Sequence, residues 1–180
     1  MKKLITFILV LSLVLGLGTV VMAQEYDDNC SVTINKNLAV NGGTNPSETF
    51  SFAIGEGTGE RDGATFSAPE FDSDTFTITV GQGGTTGSAD LDLPEFTQVG
   101  VYTYPISEDE GDTAGMRYDD TPKNLVVTVI NNPDYDSQDE ESQEFLRVIT
   151  MTYVNNEIKV ETFQNSFEAG SLTVNKVVTG

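Results

Sequence analysis

The chain has 180 residues, with 9 Lys and Arg against 28 Asp and Glu, no histidine and a single cysteine. These counts exclude a disulfide within the chain, histidine-dependent nucleophiles and histidine-ligated metal centres. The formal net charge of -19 argues against binding to nucleic acid or an anionic membrane surface, because both need a basic face. We expect neither a bound metal nor a cofactor.

The first 23 residues are typical of a secretory signal peptide. Lys2 and Lys3 precede a long apolar run that ends in the small-residue sequence Val21-Met22-Ala23, the order of features that marks a cleaved signal. An uncleaved membrane anchor is the alternative, since the run approaches the length of a span. Cleavage after Ala23 leaves a polar leader, residues 24–30, and predicts an exported, acidic protein.

Beyond the leader, short stretches of alternating apolar and polar residues are separated by clusters of Gly, Asn, Asp and Pro. This pattern is typical of an all-β sandwich. The alternation predicts eight strands, which contain, in chain order, Val32–Leu38, Phe50–Ile54, Phe76–Val80, Ala89–Leu93, Tyr102–Ile106, Leu125–Ile130, Phe145–Val154 and Ile158–Phe167. The β-branched composition of the sixth predicts burial on both faces. We interpret Gly55–Gly63 and Gly81–Gly87 as turns or loops.

Two segments near the end of the chain differ from this pattern. The acidic stretch Asp134–Glu141 lacks the glycine turn and ligand order of a calcium loop, and we interpret it as a solvated hairpin tip. Residues 171–180 repeat the opening strand, because Ser171-Leu172-Thr173-Val174-Asn175-Lys176 matches Ser31-Val32-Thr33-Ile34-Asn35-Lys36. The repeat predicts a domain over residues 31–168, followed by the first strand of a second, truncated domain.

Three polar residues interrupt apolar faces of the predicted strands. Lys36 continues the inward set that starts at Val32, Glu108 continues the set that starts at Tyr102, and Asn165 lies between Phe163 and Phe167. Period two places each of them toward the core. Burial of an isolated polar group there costs on the order of several kcal/mol in desolvation free energy. Each also has a separate explanation: Lys36 could extend to solvent from a strand end, Glu108 could follow its strand, and Asn165 could occupy a turn.

Taken together, the three side chains point to a reaction within the chain. A desolvated amine has a lowered pKa and becomes a nucleophile. A buried carboxyl has a raised pKa, so it can polarise the amide and shuttle protons. We expect Lys36 to attack the side-chain carbonyl of Asn165 with loss of ammonia, promoted by Glu108. The product is a Lys36–Asn165 isopeptide bond.

The same residues carry a family resemblance. Val32–Leu38, Gly100–Glu108 and Phe163–Ser166 resemble segments of the isopeptide-linkage domain of Gram-positive, streptococcal-type major pilins, over roughly Ser31 to Phe167. The resemblance implies an immunoglobulin-like β-sandwich, the Lys36–Asn165 crosslink with Glu108 as its catalytic residue, and Lys176 as the crosslink lysine of the next domain. It also implies a structural subunit of a sortase-assembled, cell-wall-attached pilus or surface stalk, whose partners are other pilin subunits or tandem domains.

The sequence departs from that family in the parts that join subunits. It contains neither a Leu-Pro-x-Thr-Gly sorting signal nor the Tyr-Pro-Lys stretch that carries the joining lysine in related pilins. Lys123, after Pro122, and Lys159, in the last predicted strand, are the weak candidates for a sortase acceptor. We interpret both as ordinary surface lysines.

Two other classes of function stay open at this point. A ligand-binding adhesin module could use the same crosslinked sandwich, with Gly55–Gly63 and Asp134–Glu141 contacting a host molecule. A glycosidase would need a pair of carboxylates, which Asp90 with Asp92, or Glu108 with Glu110, could supply. No histidine or tryptophan supports turnover on a polymer, so we expect no enzyme activity beyond the single self-crosslinking reaction.

Overall fold

The computed structural model describes residues 30–139, 144–154 and 158–170. Its regular elements are β-strands: β1 (Ser31–Asn41), β2 (Glu48–Ile54), β3 (Thr58–Arg61), β4 (Ala64–Ser67), β5 (Thr75–Val80), β6 (Thr86–Asp92), β7 (Gly100–Glu108), β8 (Met116–Arg117), β9 (Lys123–Asn131), β10 (Phe145–Tyr153) and β11 (Thr162–Glu168). Within those residues no helix is long and apolar enough to cross a membrane.

The strands form two sheets that pack face to face as an all-β sandwich. The first sheet has the order β6-β1-β11-β8, and the second has the order β10-β9-β7-β2-β5, with β3 joined to β7 and β4 joined to β3. Alternating side chains of both sheets form one core, as period two requires. Its fully buried members include Ile34 and Phe163 from the first sheet and Phe52, Ile106 and Val127 from the second.

The pairing of β1 with β11 is parallel, whereas β1 pairs with β6 in the antiparallel sense. Two adjacent parallel strands need a crossover connection, and here almost the whole domain lies between them in sequence. Lys36 is the register partner of Phe163, and Leu38 is the partner of Asn165. The first and last strands of the domain are therefore neighbours.

The prediction that Gly55–Gly63 is a turn or loop is wrong for Thr58–Arg61, which form β3 and pair with β4 in a hairpin. Its turn is Asp62-Gly63, with φ of 53° at Asp62 and 79° at Gly63. An Asp-Gly pair suits a two-residue hairpin turn in which both central residues have positive φ. That pair was the signal for the missed hairpin.

Two predicted strands also need correction. The sixth, β9, is not buried on both faces, because only its inward set is buried and the alternate residues are half-buried. The eighth begins at Thr162, not Ile158, and the residues before it make only an isolated bridge between Lys159 and Thr152.

The remaining predictions concern segments that the structure covers in part or not at all. The acidic stretch is exposed from Asp134 through Asp139, as expected for a hairpin tip. The predicted signal peptide, nearly all of the leader and the repeated motif with Lys176 lie outside the described residues.

Candidate functional site

The structure brings Lys36, Glu108 and Asn165 together between the two sheets. Lys36 comes from the middle of β1, Asn165 from β11 beside it, and Glu108 from the end of β7 in the opposite sheet. Lys36 is 0% exposed and Asn165 is 2% exposed, and the side chain of Glu108 is 0% exposed. The inward direction predicted for all three residues is confirmed.

The two carboxyl oxygens of Glu108 contact the amine of Lys36 and the side-chain amide of Asn165. Lys36 Nζ forms an ion pair with Glu108 Oε2. Asn165 Nδ2 donates a hydrogen bond to Glu108 Oε1 over 2.6 Å. One carboxyl group therefore contacts both the nitrogen that would attack and the nitrogen that would leave.

Aromatic rings surround the amine of Lys36. Its Nζ lies 4.8 Å from the ring centroid of Phe50, 5.7 Å from that of Phe52 and 6.0 Å from that of Phe163. Burial among these rings lowers the pKa of Lys36, although the pairing with Glu108 opposes the shift. Burial likewise raises the pKa of Glu108 against the opposing effect of Lys36 and Asn165. Both directions favour a neutral amine beside a neutral carboxyl group.

The carbonyl oxygen of Asn165 faces a different partner from the one we expected. The backbone N–H of Asp119 donates a hydrogen bond to Asn165 Oδ1 over 2.7 Å. Because a backbone N–H can only donate, this bond fixes which end of the amide faces Glu108. Glu108 thus contacts the amide nitrogen, and the backbone N–H of Asp119 contacts the carbonyl oxygen.

A second buried lysine lies next to this site. Lys123 is 1% exposed, its Nζ is 2.6 Å from Asp119 Oδ2, and the same Nζ lies 3.9 Å from the ring centroid of Phe163. Our interpretation of Lys123 as a surface lysine is wrong. Lys123 is in period-two phase with the buried Leu125 and Val127, and this was the signal that could have identified it.

The carboxylate of Asp119 is held from several directions. Besides Lys123, the backbone N–H of Gln164 donates to Oδ2 over 2.8 Å, and that of Thr121 donates to Oδ1 over 3.1 Å. Burial alone would raise the pKa of Asp119, but the hydrogen bonds from Gln164 and Lys123 outweigh it, and the pKa is lowered. No strand pattern in the sequence singles out this residue.

Two further observations concern the other candidate acceptor and metal ligands. Lys159 is exposed and lies outside this cluster. Among residues 30–139, 144–154 and 158–170, no group of three or more Cys, Asp or Glu is arranged to hold a metal ion.

A cavity of about 440 Å³ adjoins the site. Glu108, Tyr118 and Asp119 contribute to its lining.

Comparison with known proteins gives the family and the fold. Residues 32–168 match the family model FctA, described as the Spy0128-like isopeptide containing domain. No curated protein matches the chain. Among solved structures, a mutant of the major pilin from Streptococcus pyogenes is similar with a TM-score of 0.60 at 24% identity, over 78% of this chain and 51% of that one.

Two further major pilins of Streptococcus pyogenes are also similar. One has a TM-score of 0.60 at 22% identity, and the other has a TM-score of 0.55 at 16% identity. Each match covers 78% of this chain and 53% of the pilin. The chain therefore spans about half the length of the solved structures it matches, and they share its all-β fold.

Proposed function

Because the chain belongs to the family of Spy0128-like isopeptide containing domains, we propose that it is a structural subunit of a cell-surface pilus, stabilised by a Lys36–Asn165 isopeptide bond. Glu108 promotes the formation of the bond. The observation that carries this proposal is the buried carboxyl group of Glu108, which contacts Lys36 Nζ and Asn165 Nδ2 at once.

The reaction follows from these contacts. Proton transfer from the ammonium of Lys36 to Glu108 gives a neutral amine and a neutral carboxyl group, which burial among the rings of Phe50, Phe52 and Phe163 favours. The amine attacks Cγ of Asn165, and the bond from Cγ to Nδ2 breaks. Glu108 gives its proton to the departing nitrogen, which leaves as ammonia, and takes a proton from the attacking nitrogen. Glu108 therefore enters as the carboxylate of the ion pair and ends as a neutral carboxyl group, which carries the proton that Lys36 gave up in the first step.

The domain family is structural, and the reaction occurs once per chain, so the chain is not an enzyme in the sense of turnover. The major pilins that share the fold support other pilin subunits as partners and the bacterial cell surface as the location. An adhesin module that binds a host ligand is the less favoured alternative.

Export and subunit joining are parts of the same proposal. The signal peptide, residues 1–23, directs secretion, residues 24–30 form a leader, and Lys176 is the crosslink lysine of a following domain. Sortase joins the subunits into a pilus attached to the cell wall. Lys159 is the better acceptor of the two candidates because its amine is exposed, whereas that of Lys123 is buried and paired.

Intact-mass measurement of the purified protein tests the crosslink. We expect a mass lower than the sequence mass by one ammonia, and a branched peptide that joins Lys36 to Asn165 after proteolysis. A folded protein with the unmodified mass would overturn the mechanism. A reduced mass with a branch at another lysine would reject the assignment of Lys36.

A further inference from the structure

Asp119 contacts the site through two different groups. Its backbone N–H donates to Asn165 Oδ1, while its side chain accepts hydrogen bonds from Lys123, Gln164 and Thr121. The residue follows the two-residue strand β8 and precedes β9, so strand pairing does not fix its backbone. The hydrogen bonds to the Asp119 carboxylate hold this backbone instead.

We propose that Asp119 is a positioning residue of the crosslinking reaction, whose backbone N–H stabilises the negative charge that develops on Asn165 Oδ1 and whose buried ion pair with Lys123 holds that N–H in place. This inference rests on the proposed crosslink and goes beyond it, because it concerns how the carbonyl group is activated.

The chemistry requires a donor at this atom. When Lys36 Nζ bonds to Cγ of Asn165, the electron pair of the carbonyl group moves to Oδ1, and it returns when ammonia leaves. Donors aimed at such an oxygen in a dry site are among the largest contributions to catalysis, and the loss of one slows reactions by about 10²–10³-fold. Glu108 is engaged with the nitrogen atoms, whereas Asp119 N–H faces the oxygen.

The ion pair supplies the rigidity that this donor needs. Lys123 packs on the ring of Phe163, and Gln164, which donates to Asp119, directly precedes Asn165 on β11. The carboxylate therefore ties the segment before β9 to the strand that carries the reacting amide. A displacement of about 1 Å in such a group can cost on the order of 10²-fold in rate.

Asp119 and Lys123 also act on Lys36 with opposite signs. The charged groups that influence Lys36 are Glu108 from β7, Asp119 from the segment before β9 and Lys123 from β9. The negative charge of Asp119 raises the pKa of Lys36 and of Glu108, and the positive charge of Lys123 lowers the pKa of Lys36. Removing the first charge should move the pH optimum of crosslinking down, and removing the second should move it up.

The test measures crosslinking rates in newly made full-length chains. Wild type, Asp119→Asn, Lys123→Met and the double variant are made by cell-free translation, synthesis is stopped, and aliquots are denatured at intervals for intact-mass measurement. The crosslinking rates are compared only at pH values where the wild-type rate changes with pH. In that range the crosslinking reaction, and not folding, is the slow step. Circular dichroism of each purified variant reports its folded fraction.

We expect Asp119→Asn and Lys123→Met each to slow crosslinking of the folded chain by about 10-fold or more, with the double variant slower by less than the product of the two. The pH optimum should be lower in Asp119→Asn and higher in Lys123→Met. Asp120→Asn is the matched control, because Asp120 is the exposed neighbour in the same segment, and it should react at the wild-type rate.

Two outcomes would overturn the inference and are distinct from failure of the crosslink itself. Wild-type rates and an unchanged pH optimum in both folded variants would remove Asp119 from the mechanism. Slower appearance of product that matches a smaller folded fraction, with an unchanged pH optimum, would assign the pair a purely structural role. If the wild type never loses ammonia, the proposed function fails first.

Discussion

Asn165 lies two positions beyond the register partner of Lys36 on the adjacent parallel strand. Two positions is the side-chain period of a strand, so both residues point to the same face of the sheet. The register thus selects this pair of side chains, and the carboxyl group of Glu108 reaches both of them from the opposite sheet.

Replacing Glu108 should stop the crosslink. Glu108→Gln keeps the size of the side chain but removes the group that exchanges protons, a contribution of typically 10²–10⁴-fold. We expect Glu108→Gln and Glu108→Ala to have the full sequence mass when freshly purified. Glu110→Gln, at an exposed position two residues on, is the control and should lose ammonia as the wild type does.

Removing the bond should lower the stability of the domain. Lys36 and Asn165 are 129 positions apart, 165 minus 36, and by analogy with a disulfide that closes such a loop the bond contributes about 5 kcal/mol. We expect Asn165→Ala to lower Tm by on the order of 10 °C or more, as measured by calorimetry. Reductant should not change the wild-type Tm, since the bond contains no sulfur.

The variant Asn165→Ala also leaves Lys36 buried beside Glu108, which has its own cost. The double variant Lys36→Met with Asn165→Ala removes the buried amine as well. If the loss of the bond explains the lower stability, the Tm of the double variant should stay well below that of the wild type. Recovery of the wild-type Tm in the double variant would mean that the cost of the buried charge, not the loss of the bond, explains the single variant.

Pulling on the two ends of the domain should not extend the wild type. Tension enters at β1 and leaves at β11, so the proposed bond would carry it past the intervening chain. We expect single-molecule pulling of Asn165→Ala to show an unfolding step that the wild type lacks. Its added contour length should be roughly 450 Å for the 129 positions released, at about 3.5 Å each. A step of that size in the wild type would exclude a complete crosslink.

Amine labelling should separate the described lysines by burial. Lys159 is exposed, whereas Lys123 is buried against Phe163 and paired with Asp119. We expect an amine-reactive ester to modify Lys159 rapidly in the folded protein and to leave Lys123 unmodified, as read by peptide mapping. In denaturant both should react, while Lys36 should stay unmodified because its amine is in the bond. Rapid labelling of Lys123 in the folded protein would contradict its position.

Asp119 should stabilise the domain at neutral pH and not in strong acid. Because its pKa is lowered below the ordinary value of 3.8, the folded state binds its proton less tightly than the unfolded state. The stabilisation is complete above that ordinary value and is lost as the pH falls through the folded pKa. Chemical unfolding should show a difference between wild type and Asp119→Asn at pH 6 that shrinks toward pH 2. A constant difference would contradict this linkage.

Much of the fold could be predicted because one face of each main strand is apolar. The sequence pattern identified β1, β2, β5, β6, β7, β9, β10 and, apart from its start, β11, and period two gave the inward direction of Lys36, Glu108 and Asn165. It could not identify the four-residue strands β3 and β4, which are too short to show alternation and depend on the turn at Asp62-Gly63.

The limits of prediction at the site have a different cause. Lys123 was predictable in principle from its phase with Leu125, but lysine is so often exposed that the pattern was outweighed. Asp119 was not predictable, because its role comes from a backbone N–H and from partners 45 or more positions away on β11. Contacts of that kind depend on how the two sheets pack, and the pattern of residues within one segment does not indicate this packing.

The position of Asn165 near the end of the domain sets the order of events in the life of the chain. The bond cannot form until residue 165 has been made and β11 has paired with β1, so a nascent chain stays linear and can still be threaded through a narrow channel. Once the proposed bond forms, residues 36–165 become a closed ring that can no longer be threaded. The proposed bond, an irreversible step, would therefore form only after the last strand of the domain is in place.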